Sequence, residues 1–155
     1  MALKASSSPL VITLTQGSAD AFVQGSVLTG LTGNQAYRLL GVAWEMTSSL
    51  TTTNAAEYQV ALSRRSKASQ PLTSDTDVLW VLRWQNLFTT SGEVMRDKSG
   101  YWKPDNEVPI VEETIYAELD SNATSTANTF IIRLDVELDT MSPIDRLNLI
   151  TRSLT

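Results

Sequence analysis

From Phe130 to Leu138 every second residue is apolar, while Arg133, Asp135 and Glu137 occupy the alternate positions. In an extended strand successive side chains point to opposite faces, so this stretch has one dry face and one wet face. The same period of two recurs along the chain. Leu40, Val42, Trp44 and Met46 form one predicted face of a strand over 36–46, and Ala56, Tyr58, Val60 and Leu62 form another opposite Glu57, Gln59 and Ala61. Between residues 77 and 88 both parities begin apolar, with Val78, Trp80, Leu82 and Trp84 against Leu79 and Val81, which reads as a central, largely buried strand. Shorter candidates are 10–15, 21–29 and 108–119, the last broken near Pro109 because proline cannot donate to a ladder.

The connections are rich in Ser, Thr, Gly and Asn, and the stretch from Thr89 to Glu107 is the longest. A connection of that length inside a compact domain is expected to be a functional or interface loop, with Tyr101 and Trp102 as its anchors. One helix is expected, over 142–153. Ser142 can cap it, Pro143 suits its first turn, and Asp145 favours its positive end. Its apolar stripe, Ile144, Leu147 and Ile150, should dock on the chain's own sheet or on a neighbouring copy. The expectation is one all-β domain over 1–155, an antiparallel sandwich of seven or eight strands with a flexible arm at 1–9 and a short C-terminal helix.

Composition narrows the chemistry. With no cysteine and no histidine, the chain lacks disulfides, thiolate ligands, the commonest metal ligand and the usual general base near neutral pH. No enzyme, metal or cofactor is expected. Glu112 and Glu113 are adjacent, so a strand sends them to opposite faces and they cannot flank one glycosidic bond. Asp75 with Asp77, and Asp97, Asp105 and Glu107, supply oxygen ligands without the spacing of a calcium loop, and Gly25, Gly30 and Gly33 lack the order of a phosphate loop. Ordinary solvation and turns are the simpler reading of both sets.

Net charge is −5, and between Asp105 and Asp139 nine carboxylates accompany the single base Arg133. The first 37 residues contain only Lys4, and the one basic cluster is Arg64-Arg65-Ser66-Lys67. Direct nucleic-acid binding is therefore not expected. No apolar run reaches the ~20 residues a membrane-spanning helix needs, and the N-terminal Ser/Pro stretch is not that of a secretion signal. Asn122-Ala-Thr124 matches a glycosylation acceptor, a pattern with little weight in such a chain.

The Ser/Thr-rich loops, the closing strand Thr129-Phe-Ile-Ile-Arg-Leu-Asp-Val-Glu-Leu and the short tail helix together resemble the single jelly-roll viral coat proteins. The resemblance is one of element order over nearly the whole chain. It implies a structural subunit of a virion that self-assembles through loops and termini, as a homo-oligomer or with a second coat protein. The absence of a basic arm departs from coat proteins that touch packaged nucleic acid. A carbohydrate- or receptor-binding sandwich, with Tyr101 and Trp102 at its site, is the alternative.

Overall fold

In the computed structural model, residues 9–17, 22–48, 56–69, 71–72, 74–89, 92–94, 99–121 and 128–154 are described. They form two antiparallel sheets packed as a sandwich, with one helix at the C-terminal end. The strands are β1 (Leu10–Gln16), β2 (Phe22–Leu28), β3 (Gln35–Ser48), β4 (Ala56–Ser63), β5 (Val78–Thr89), β6 (Gly92–Val94), β7 (Ser99–Trp102), β8 (Pro109–Ile110), β9 (Thr114–Ser121) and β10 (Asn128–Thr140), followed by α1 (Pro143–Leu154). One sheet runs β1-β10-β3-β7, with β8 also paired to β3, and the other runs β2-β9-β4-β5-β6.

The eight principal strands pair in a nested order. β1 pairs with β10, β2 with β9, β3 with β7 and β4 with β5. These pairs are joined by β10 with β3 and by β9 with β4. Alternation explains which residues meet inside. Ile12, Leu14, Val42, Phe130, Ile132 and Leu134 descend from the first sheet onto Val60, Leu62, Ile115, Ala117 and Leu119 of the second, all buried. Gly30 and Gly33 supply the left-handed backbone (φ 68° and 58°) of the turn that carries β2 into β3.

Five features depart from expectation. The described residues form ten strands and not seven or eight, because the stretch over 89–107 contains β6 and β7, and β8 follows it, all too short to show a period. In β3 the ladder shifts register: Leu39 faces Val136 and Gly41 faces Asp135, leaving Leu40 as the extra residue of a bulge. Leu40 is therefore exposed, while Leu39 and Val42 are buried. Leu138 is exposed as well, at the far end of β10 opposite Tyr37 and past the core. In β4 both faces are buried from Tyr58 to Ser63, Gln59, Ala61 and Ser63 included, because the described residues between Arg64 and Asp77 fold back over the outer face. Finally, β5 lies between β4 and β6 in its sheet but is less buried than its pattern implies: Val78, Leu79, Val81 and Leu82 are half-buried and Arg83 is exposed.

The helix forms as its sequence dictates. Ser142 Oγ accepts from the Asp145 N–H (3.1 Å) and donates to Asp145 Oδ2 (2.6 Å), a reciprocal cap, and Arg152 sits in the last turn near the negative end. No Cα of α1 comes within 8 Å of a strand among the described residues. Among those residues no helix is long and apolar enough to cross a membrane. The expected arm at 1–9 lies outside the described residues except for Pro9.

Candidate functional site

The two flanks of the sandwich differ. On one, β1 packs against β2 and β9 and seals the core. On the other, β5 and β7 stand apart, with no Cα pair within 8 Å among the described residues. A cleft of about 460 Å³ opens there between the sheets. Trp44, Trp80 and Trp102 line it, together with Val81 and Leu82 of β5 and Ser99, Gly100 and Tyr101 of β7. Among the described residues no charged side chain lines it.

Tyr101 and Trp102 do not form one platform. They lie in β7 and not in a loop, and neighbouring strand residues face opposite ways. Trp102 stands opposite Val42 and packs on the core, whereas Tyr101 stands opposite Ala43 and is exposed. The Tyr101 ring lies across Gly41, where an added Cβ would meet its hydroxyl at 2.0 Å. The bulge and the glycine together make room for this tyrosine.

On the inner side, Trp44 lies over its cross-strand partner Gly100 and stacks on Phe130, with ring centroids 5.9 Å apart and planes 9° from parallel. A Cβ on Gly100 would fall 2.7 Å from Trp44 Cζ2. Gly100→Ala is therefore expected to push the indole off Phe130 and to destabilise the fold by about 1–3 kcal/mol, the usual cost of overpacking. A shift in tryptophan emission together with a lower urea midpoint is the expected result. Unchanged emission would show that the indole does not depend on that glycine.

A second cluster lies on the outer face of the β2-β9-β4-β5 sheet. The connection 64–77 closes at its base through Arg64 N–H to the Asp77 carbonyl (2.8 Å). It is tied down by Ser66 to Gln24 (2.9 Å), by Gln24 to the Lys67 carbonyl (3.0 Å) and by Gln59 to the Pro71 carbonyl (2.9 Å). Beneath it Glu118 is buried, accepting from Gln24 Nε2 (3.1 Å) and Ser63 Oγ (3.1 Å).

Burial pushes the Glu118 carboxyl above the ordinary carboxylate range, and Asp77 adds to this, against the opposing pull of those two donors and of Lys67. A carboxyl raised in the folded state contributes stability that is complete below its ordinary value of 4.5 and is lost as pH rises through the folded value. Glu118→Gln, which keeps an acceptor for Gln24 and a partner for Ser63, is thus expected to melt higher than the native chain at pH 7. The difference should vanish below pH 4.5. Thermal melts across that interval check it, and a lower melting temperature at pH 7 would contradict it.

The other sequence candidates are engaged within the chain. Arg64 grips Glu112 with both carboxylate oxygens at 2.9 Å and also reaches the Pro109 carbonyl (2.7 Å), while Glu113 is exposed, so the two glutamates do not converge. Lys67 binds Asp77 (2.8 Å) and Asp75 (3.5 Å). Asp105 and Glu107 are exposed, Asp97 and Asn122 lie outside the described residues, and nothing is described of the Trp84 side chain. Among the described residues no group of three or more Asp or Glu is placed to hold a metal ion.

On α1, Ile144 and Leu147 are 73% and 64% exposed, and Ile150 is 36% exposed, so the stripe faces outward from the sandwich. The stripe and Trp102 are legible in the sequence, whereas the place of Trp44 and Trp80 at the cleft and the burial of Glu118 are not. Comparison with known proteins finds no matching family model and no matching curated protein.

Proposed function

We propose that this chain is a jelly-roll coat subunit, a structural protein of a virion that self-assembles into a shell. The observation that carries the reading is the tail helix, which leaves the sandwich with Ile144 and Leu147 open to solvent. Each such side chain gains roughly 1.5–3 kcal/mol when fully buried, and the described strands of its own sandwich do not bury them. A neighbouring copy is the surface that a subunit of a closed assembly has at hand.

The nested strand order supports the same reading. Two four-strand layers, β1-β10-β3-β7 and β2-β9-β4-β5, are what rolling a hairpin into a double Greek key produces, and such jelly rolls are used by capsid proteins and lectins alike. The partners are other copies of this chain, with or without a second coat protein. No direct contact with nucleic acid is part of the proposal, since Arg64 and Lys67 are occupied by Glu112 and by Asp75 with Asp77.

Negative-stain electron microscopy of the concentrated protein tests this. Closed particles of one diameter support it, and a field of dispersed single subunits at every concentration contradicts it. A glycan- or receptor-binding role is the second reading, favoured by the three indoles of the cleft. It requires quenching or a shift of tryptophan emission when sugars are titrated.

A further inference from the structure

We propose that the connection between Arg64 and Asp77 is a strap gated by one proton: the Glu118 carboxyl holds it on the sheet while protonated and lets it lift when ionised.

A single amide ties the strap to the carboxyl. Gln24 of β2 stands opposite Glu118 of β9. Its Nε2 donates to Glu118 Oε1 (3.1 Å) and to the Lys67 carbonyl (3.0 Å), while its Oε1 accepts from Ser66 Oγ (2.9 Å). An amide has two N–H donors on one side and an acceptor on the other, so turning it over breaks all three bonds at once. The other Glu118 oxygen meets Ser63 Oγ (3.1 Å), next to the root of the strap at Arg64. Gln59, one more buried residue of β4, holds the far limb through the Pro71 carbonyl (2.9 Å).

The carboxyl has no charged partner. Glu118 is 1% exposed, and both of its hydrogen bonds come from neutral groups. The charges around it are engaged elsewhere. On the strap, Lys67 is bound to Asp77 (2.8 Å) and Asp75 (3.5 Å), and Arg65 is half-buried. Arg64 grips Glu112, and Arg83 of β5 turns its Nε to Gln59. Glu57 at the start of β4 is exposed, β2 carries no ionisable side chain, and on β9 itself Tyr116 and Asp120 share the outer face with Glu118. A carboxylate buried without a cation is costly, and lifting the strap lets water reach it. The neutral acid keeps both bonds, accepting from Gln24 and sharing its own proton with Ser63.

The sign follows from burial, which raises this carboxyl above the ordinary range. Closure is complete below the ordinary value of 4.5, weakens as pH rises toward the folded value, and levels off above it. Protonating Asp75 or Asp77 acts in the opposite sense, since it releases Lys67 as pH falls. Lifting uncovers Gln59, Ala61 and Ser63, so the outer face of β4 becomes a surface presented by pH.

The test follows solvent exchange by NMR, for the Gln24 side-chain amide protons and the backbone amides of 64–77, from pH 4.5 upward and corrected for intrinsic exchange. In the native chain protection of both should fall by up to about tenfold per pH unit and then level off, while the amides of 130–134 in β10 keep theirs. Glu118→Gln cannot ionise, so its strap should stay protected throughout. Gln24→Ala replaces an exposed residue and removes the joint, so its strap should exchange faster already at pH 4.5 and respond less to pH. Native protection that is flat across the interval overturns the proposal, as does a fall of equal size in Glu118→Gln. An equal loss of protection in β10 also overturns it, because the proton would then set the stability of the whole sandwich and not the seat of the strap.

Discussion

Phe130→Ala is expected to remove about 3–5 kcal/mol of stability, the range for truncating a buried aromatic to alanine. Phe130 is fully buried near the start of β10 and stands opposite Leu14 of β1 and Met46 of β3, both buried as well. Its ring stacks on Trp44, which in turn lies over Gly100 and lines the cleft. Truncation therefore leaves a cavity and releases an indole at once. Domains of this size hold about 5–15 kcal/mol in all, so the loss is about a fifth of the total or more. Urea unfolding followed by tryptophan emission measures it. Ile131→Ala, one position along and on the half-buried outer side, should cost much less, and equal costs would contradict the assignment of faces.

The paired change Ile144→Asp with Leu147→Asp should have the opposite profile, with assembly lost and the folded subunit intact. Both side chains are exposed, and no Cα of α1 lies within 8 Å of a described strand. Surface substitutions away from special features usually shift stability by no more than about 0.5 kcal/mol. An assembly that buries both residues would instead bury two carboxylates with no partner, a cost no shell contact offsets. Thermal unfolding at low concentration and particle yield at high concentration separate the two effects. A fall in subunit stability would mean that the stripe covers part of its own sandwich.

The sequence made the faces of strands legible but not their neighbours. Alternation in β10 and β1 correctly separates Phe130, Ile132 and Leu134, or Ile12 and Leu14, from the outer residues, because the pleat is a local property. The helix was equally plain, since Ser142, Pro143 and Asp145 act within one turn. β5 misled for a physical reason: apolar residues at both parities read as two covered faces, whereas Val78, Leu79, Val81 and Leu82 are only half-buried where the cleft opens beside the strand. The bulge at Leu40 is invisible until β3 meets β10 in register, and Tyr101 with Trp102 read as a pair only while the strand around them is unknown. Glu118 was hidden likewise, since its burial comes from a connection some 40–50 residues earlier in the chain folding across the sheet.

Self-assembly is the claim on which the rest depends, and the mass distribution of the purified native chain tests it most directly. Light scattering after size exclusion, over a concentration series, should show discrete large species that grow in proportion at higher loading. A single mass of 17.0 kDa at every concentration would contradict it.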